Sequence, residues 1–569
     1  MSAKHLSIAI TGAGGAGVIS CGELLLQARA RQGGRGLLRK AYGPQIRGGE
    51  SAALLKLTED ERYTAATLYD LVVALDWDNF SRFEDEIRLG PNTWVLCDEA
   101  EEVPAAVSEL QAQIVQLPMA ALAKAAHPEG RVNMLVLGLL GGLLDLPEET
   151  LCELAEQKLA RKAADYREAA TASIRQGLGE SPDIQLTVPP LGDPGAWYLS
   201  GNQAAGLGAL ETGIRFVAAY PITPASDVLE WMAGGLEEVG GQLLQAEDEL
   251  AAINMTIGAA FGGVPSFTAT SGPGLALMTE SIGLAVASET PVTVFNVMRG
   301  GPSTGIPTKS EQSDLNIALN GLHGDAPHLV LAPLDIADCV FTTGWAVDLA
   351  QQLQTAAMVL SDQFIGQSTA VVSEPRRCVA TPAPESAAQE DGEYLRYKLT
   401  ANGISALASP GDVDQRFTAD GLEHNEKGTP SAKHSDHQRQ LPKRQQKLEK
   451  FAFGDDWAEL AGDGEVALIS FGSSSAAVAE ASALLAEQGL DTRSVSLRLL
   501  APLQVESLSS ALAGAARVIV VEQNHSAQLF QYLRGQMDFP QHLHSYAQAG
   551  PVPLNAQQIA QYVLEVSAQ

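Results

Sequence analysis

Four short stretches of this chain combine residue types and spacings that could do chemistry. The first is Tyr220-Pro221-Ile222-Thr223-Pro224. Its two prolines fix φ and remove two backbone donors, so the Thr223 hydroxyl is presented at one place, as the positioning of a reacting group requires. A proline-braced strand end with Thr223 as a helix cap accounts for the same residues. The second is Glu247-Asp248-Glu249, at the start of a small-residue helix over 250–262. Acids are favoured there by the helix dipole alone, and a positioned carboxyl there can also do general acid–base work. The third, residues 268–274, is a hydroxyl- and glycine-rich turn after a strand, able to satisfy the polar groups of a ligand. The fourth is Met298-Arg299-Gly300-Gly301-Pro302-Ser303-Thr304-Gly305, after the apolar run 292–297. An arginine at a strand's C-terminal end suits a carboxylate, because its guanidinium offers two parallel donors. An ordinary salt bridge is the competing reading of Arg299. Thr304 sits on the same turn.

A fifth stretch lies near the N-terminus. Thr11-Gly12-Ala13-Gly14-Gly15-Ala16-Gly17 contains G-x-G-x-x-G between a strand and a helix. Such a loop brings backbone N–H groups to a phosphate at a helix N-terminus. A dinucleotide site would need an Asp or Glu about 20 residues on to hold the ribose, and the stretch 32–42 has no acid. A tight turn, or a site for another phosphate-bearing ligand, is the better reading. Arg47, within Tyr42-Gly43-Pro44-Gln45-Ile46-Arg47-Gly48-Gly49, could meet an anionic ligand or serve a subunit contact.

Several α/β domains must carry these stretches. At roughly 150 residues per domain, 569 residues imply three or four domains. Strand-like and helix-like runs alternate over 1–190, which implies a doubly wound parallel sheet. A second α/β unit covers 196–375 and a third 455–569. Between them 376–454 reads as an extended connector, with a helix near 436–451. No apolar run reaches the ~18 residues of a membrane span, and the N-terminus runs from a short strand into glycines rather than resembling a signal peptide. The net charge of −31 works against nucleic acid and anionic membranes. Acidic carriers would also be repelled. The five scattered cysteines show no metal or cluster spacing and read as reduced thiols of a cytoplasmic protein.

Taken in order, the stretches 220–224, 245–254, 268–274, 298–308 and Glu311-Gln312-Ser313-Asp314-Leu315 closely resemble the alpha subunit of 2-oxoacid:ferredoxin oxidoreductases, and the fusion of a gamma-type domain in front looks most like the enzymes acting on 2-oxoglutarate. The runs 417–428 and 522–528 are similar to the same family. The glycine loop, the Arg47 motif and Asp76-Trp77-Asp78-Asn79-Phe80 resemble its gamma-type domain, here fused in front. The resemblance implies a gamma-type domain, a thiamine diphosphate pyrimidine-binding domain and a transketolase C-terminal-like domain. It implies that Thr223, Arg299 and Thr304 line the 2-oxoacid pocket, with Arg299 on the carboxylate, and that Lys309 is a candidate for a second substrate carboxylate. Glu249 would activate thiamine diphosphate, with Glu247 as the fallback, and Arg47 would meet coenzyme A. The diphosphate clamp is missing: the next Asn after Gly462-Asp463-Gly464 is Asn524, far too distant. A beta subunit is therefore expected to supply Mg²⁺, the diphosphate site and an iron–sulfur cluster, in an (alpha–beta)₂ heterotetramer that reduces ferredoxin. The same chemistry on pyruvate or a broad range of 2-oxoacids is one alternative. A nucleotide-binding dehydrogenase and a non-catalytic assembly subunit are alternatives of other classes.

Overall fold

The apolar run after His5 forms the strand His5–Gly12, buried along nearly its whole length. Such a strand needs covered faces on both sides. The computed structural model describes residues 5–43, 49–61, 63–78, 80–192, 194–381, 394–539 and 542–568. Arg47 and Asn79 lie outside the described residues. The chain divides into two compact units, 1–200 with 367–374, and 201–366 with 375–569.

The first unit is built on an eight-stranded sheet. His5–Gly12, Leu71–Ala74, Trp94–Asp98 and Gln113–Leu117 run parallel, as the alternation of elements implies. The other half is antiparallel. Ser51–Thr58 pairs with His5–Gly12 and with Arg35–Tyr42. Thr369–Val372 follows Arg35–Tyr42, and Trp197–Ser200 closes the edge. The sheet is thus mixed, and it recruits two strands that the linear division assigned to the second domain. The strand expected to carry a ribose-binding acid, Arg35–Tyr42, does not lie beside His5–Gly12 at all.

The second unit holds a seven-stranded and a five-stranded sheet. The seven-stranded sheet has the order Leu499–Ala501, Leu329–Leu331, Ala356–Asp362, Val292–Met298, Ser266–Thr270, Phe216–Ala219, Gln242–Gln245. All pairs are parallel except the first, where Leu499–Ala501 of the C-terminal segment runs antiparallel. The five-stranded sheet contains Ala458–Ala461, Thr492–Leu497, Val466–Phe471, Arg517–Glu522 and His542–Ala547. Gly462-Asp463-Gly464 is the turn between its first two strands in chain order, with Arg493 donating to the Asp463 and Gly464 carbonyls.

The described part of the connector ends in a helix, His434–Glu449, with Pro442 inside it. A buried ion cluster docks this helix. Lys443 and Lys447, one turn apart, both reach the fully buried Glu289 carboxylate, Lys443 at 2.6 and 2.7 Å. Arg396 donates to the Glu289 carbonyl and to the Gln354 side chain. Burial pushes the Glu289 carboxyl up, but the cations of Lys447, Lys443 and Arg396 reverse this and hold it well below the usual carboxylate range. Burial pulls Lys447 down to about 7, against the attraction of Glu289.

Candidate active site

Parallel sheets gather ligands at the C-terminal ends of their strands. Three of the residue types that could do chemistry follow three different strands of the seven-stranded sheet. Thr223 follows Phe216–Ala219, Glu249 follows Gln242–Gln245, and Arg299 follows Val292–Met298. The hydroxyl-rich stretch 268–274 is not all turn: its first three residues end a fourth strand, Ser266–Thr270, and its last three open the helix Gly272–Ala287.

Arg299 is only 5% exposed. Its guanidinium donates through Nη1 to the Thr223 carbonyl, which ties the Arg299 turn to the proline-braced turn. Its Nε has no partner, and it forms no ion pair among the described residues. Burial pulls Arg299 down, with Asp314 working the other way. A buried cation without a carboxylate is costly unless something anionic completes it. The Thr223 turn is held from behind by Asn202, whose Nδ2 donates to the Pro224 carbonyl at 2.9 Å while its Oδ1 stays unpartnered. Ser271 Oγ and Asn296 Oδ1 are further buried polar atoms without partners beside these turns. Together they make a polar lining that a ligand could satisfy.

Glu249 and Glu247 are separated by burial. Glu249 is 7% exposed, whereas Glu247 is exposed. Asp248 is the helix cap, accepting from the Ala251 N–H at 2.7 Å. Capping by the middle acid leaves Glu249 as the first residue of the helix Glu249–Phe261, turned inward. Gly274 makes room for it. An added Cβ at Gly274 would lie 2.8 Å from Glu249 Cγ, 2.9 Å from Oε1 and 2.1 Å from Thr270 Oγ1. The buried carboxyl, with glycine beside it, fits the requirement of an aminopyrimidine ring for a fixed carboxylate and a close, flat approach.

Thr304 stands apart from these three. It is exposed on the loop that leaves Arg299, where Ile306 N–H donates back to the Gly300 carbonyl at 2.8 Å. Among the described residues it bonds to neither Arg299 nor Thr223. Lys309 is half-buried at the end of the same loop. The loop continues into a brace from the C-terminal segment. The Gln312 and Gln523 side chain and backbone exchange bonds of 2.8 Å, and Gln528 bonds to Asn316 N–H and the Ser313 carbonyl. Glu522 fixes that segment by accepting from the Leu529 and Phe530 N–H groups. The sequence reading missed Asn202, Asn296 and Asp314. A signal existed for Asn296, the one amide within the mostly apolar strand VTVFNVM.

The glycine loop of the first unit lines a cleft of about 420 Å³ with Arg131, Lys158, Lys162 and Tyr166. Gly17 caps the helix Val18–Arg31 at φ +87°, and a Cβ there would strike Asn133. The Ala13 N–H is already taken by the Asp76 carboxylate at 2.8 and 3.0 Å. The start of the loop therefore closes on its own carboxylate, and only its later glycines face the cleft.

Three family models match the chain. Residues 7–180 match pyruvate ferredoxin/flavodoxin oxidoreductase. Residues 207–443 match the thiamine diphosphate-binding part of pyruvate flavodoxin/ferredoxin oxidoreductase, and 456–566 match the transketolase C-terminal domain. The 2-oxoglutarate synthase subunit KorA of Methanothermobacter marburgensis is 33% identical, over 59% of this chain and 90% of its own. The chain belongs to the 2-oxoacid:ferredoxin oxidoreductase family. The alpha subunit of 2-oxoacid:ferredoxin oxidoreductase 2 from Aeropyrum pernix is 29% identical over 93% of this chain and 92% of its own. The structure of 2-oxoglutarate:ferredoxin oxidoreductase from Magnetococcus marinus, solved with 2-oxoglutarate, coenzyme A and succinyl-CoA bound, covers 99% of both chains at 33% identity with a TM-score of 0.87. This chain is therefore a subunit of a family of oxidoreductases that act on oxo groups, and it has the α/β domains the resemblance implies.

Proposed function

We propose that this chain is the alpha subunit of a coenzyme A-dependent 2-oxoglutarate:ferredoxin oxidoreductase. The reaction is 2-oxoglutarate plus coenzyme A and oxidised ferredoxin giving succinyl-CoA, CO₂ and reduced ferredoxin, and it is reversible. The observation that carries the reading is Arg299, a buried guanidinium without a carboxylate partner at the strand ends. A 2-oxoacid brings the carboxylate it lacks. Thr223 and its braced turn orient the substrate beside it, and Thr304 and Lys309 on the following loop are the candidates for its distal end. The likeness to the Magnetococcus marinus enzyme and to the KorA subunits favours 2-oxoglutarate over pyruvate.

Glu249 would hold the pyrimidine of thiamine diphosphate, with its carboxyl keeping or releasing a proton at the ring nitrogen. Bound thiamine diphosphate supplies a nucleophilic carbon for the 2-oxo group and a sink for the electrons left on decarboxylation. The clamp for its diphosphate and Mg²⁺, and the iron–sulfur cluster, belong in this reading to a beta subunit within an (alpha–beta)₂ assembly in the cytoplasm. Leu244, Leu250 and Met255 are exposed beside Glu249, which gives such a partner apolar surface to cover. The acidic ferredoxin docks through that partner, because this chain carries −31. The cleft with Arg131, Lys158 and Lys162 suits the phosphates of coenzyme A. The test is to co-purify the chain with its beta subunit and measure viologen reduction with coenzyme A and a panel of 2-oxoacids. Turnover with 2-oxoglutarate above the others is expected. No turnover with any 2-oxoacid overturns the reading.

A further inference from the structure

Asp314 is the acid whose charge bears on Arg299, yet it makes no ion pair with it among the described residues. It is 8% exposed and wedged against the start of the helix Gly272–Ala287, where an added Cβ at Gly272 would lie 2.7 Å from its Oδ1. Two neighbours hold its carboxyl. Asn296 Nδ2 donates to Oδ2 at 2.8 Å, and Ser313 Oγ lies 2.9 Å from Oδ1. The same Ser313 Oγ lies 2.7 Å from the backbone carbonyl of Arg299.

These contacts do not balance with an ionised Asp314. A serine hydroxyl has one proton, and an ionised carboxylate and a backbone carbonyl are both acceptors only. Ser313 can serve one of them and must leave the other contact unmade. A proton on Asp314 Oδ1 resolves this. Asp314 then donates to Ser313 Oγ, and Ser313 donates to the Arg299 carbonyl. We propose that Ser313 and Asn296 hold Asp314 as a neutral acid away from the guanidinium, so that Arg299 meets an incoming 2-oxoacid as an unpaired cation. The inference rests on the reading of Arg299 as the residue that takes the substrate carboxylate.

The surroundings agree with this. Burial pushes the Asp314 carboxyl up, and its contacts with Asn296 and Ser313 and the charge of Arg299 only partly offset it. The charged groups that bear on Asp314 are Arg299 from the strand end and Glu311 from the loop. His525, from the C-terminal segment, acts on Glu311. The loop's other acid, Glu311, accepts from the Gly550 N–H and forms no ion pair with Arg299 among the described residues; burial pushes its carboxyl up. Asp314 is a positioning residue here: it acts through Arg299.

The test uses the complex with its beta subunit and the 2-oxoacid it turns over. In the wild type, KM for that acid should rise on the alkaline side as Asp314 loses its proton, and the rise should be absent in Asp314→Asn. Ser313→Ala leaves Oδ1 without its hydroxyl and lets an ionised Asp314 turn to Arg299. KM should then rise about tenfold with kcat little changed. The double variant Ser313→Ala/Asp314→Asn should recover most of that loss, which a merely structural role of Ser313 would not allow. Infrared difference spectra over the same pH range give a second measurement that needs no turnover. A protonated-carboxyl band should disappear with rising pH in the wild type and be missing in Asp314→Asn. A double variant as poor as Ser313→Ala, or an alkaline rise or band that survives in Asp314→Asn, overturns the inference alone. A wild-type complex that turns over no 2-oxoacid overturns the functional reading, and this inference with it.

Discussion

Adding one methyl group at Gly274 should separate activity from stability. Gly274 lies in the first turn of the helix Gly272–Ala287, and its φ is not in the left-handed region. The backbone therefore tolerates alanine, and helix propensity gains about 1 kcal/mol. The new Cβ meets Thr270 Oγ1 at 2.1 Å and Glu249 Oε1 at 2.9 Å. Both atoms end rotatable side chains, so they move in preference to the backbone. Crowding of this kind costs about 1–3 kcal/mol, and the propensity gain offsets part of it. Tm should fall by a few degrees at most. The Glu249 carboxyl, however, must give way, and a misplacement of about 1 Å costs on the order of 10²-fold in rate. The assay is viologen reduction by the reconstituted complex at saturating 2-oxoacid and coenzyme A, with a melting curve on the same sample. Gly274→Ala should lose about 10²-fold in kcat and approach the rate of Glu249→Ala. If kcat stays within about threefold of the wild type at an unchanged Tm, the position of the Glu249 carboxyl is not used in turnover and the reasoning fails.

Removing the guanidinium in Arg299→Ala should cost about 1.5–3 kcal/mol of substrate binding, or roughly ten- to a hundredfold in KM for the 2-oxoacid. Arg299→Lys should fall between, keeping the charge but losing the fork, and steady-state kinetics separates the three proteins. In the first unit, Arg131→Ala and Lys162→Glu should raise KM for coenzyme A and leave that for the 2-oxoacid unmoved; the opposite split would remove the cleft from the coenzyme A site. Glu289→Gln leaves three cations around a buried neutral group and should destabilise the second unit by about 3–5 kcal/mol, read from denaturant unfolding. The pH dependence of the same cluster has a definite sign. Folded Lys447 titrates at about 7 against an ordinary 10.5, so above pH 7 the unfolded chain binds the extra proton and stability rises with pH. Buried thiols such as Cys21, pushed up to about 12 from 9.0, reverse the trend above their ordinary value. Tm should therefore climb between about pH 7 and 9, with a smaller slope in Lys447→Met, and equal slopes would refute the assignment.

How far the sequence could be read depended on sequence separation. Thr223, Glu249 and Arg299 were legible because each follows an apolar run by a few residues, and a parallel sheet brings such strand ends to one edge without further information. The resemblance put Glu249 ahead of Glu247, but their difference in burial was not legible. It turns on Asp248 spending its side chain on the Ala251 N–H, which sets the rotation of the helix start. The antiparallel half of the first sheet was also hidden. Trp197–Ser200 and Thr369–Val372 pair with each other across a whole intervening domain, and nothing local to either announces it. The connector helix was expected near 436–451 and spans His434–Glu449, but its anchor was out of reach. Lys443 and Glu289 are 154 residues apart, and basic residues on a polar helix ordinarily face solvent.

The same limit explains why the environment of Arg299 emerged only from the structure. A chain of net charge −31 repels an anionic 2-oxoacid at long range, and salt screens that repulsion beyond roughly 10 Å. Attraction must therefore come at close quarters, from a cation that its own protein has not neutralised. With 68 acidic residues against 37 basic ones, leaving an arginine unpaired is the unusual outcome. Three features of the fold bring it about. The Thr223 carbonyl holds the guanidinium without neutralising it. Asn296 and Ser313 engage Asp314, the acid whose charge bears on Arg299. The C-terminal brace through Gln312, Gln523 and Gln528 fixes the loop with amides, which add no charge. Each of these partners is uncharged, and three of them come from a segment about 200 residues away in the chain or from inside an apolar strand. A motif can show where an arginine sits at a strand end. Whether that arginine is free to bind an anion depends on which neutral groups the rest of the fold places around it.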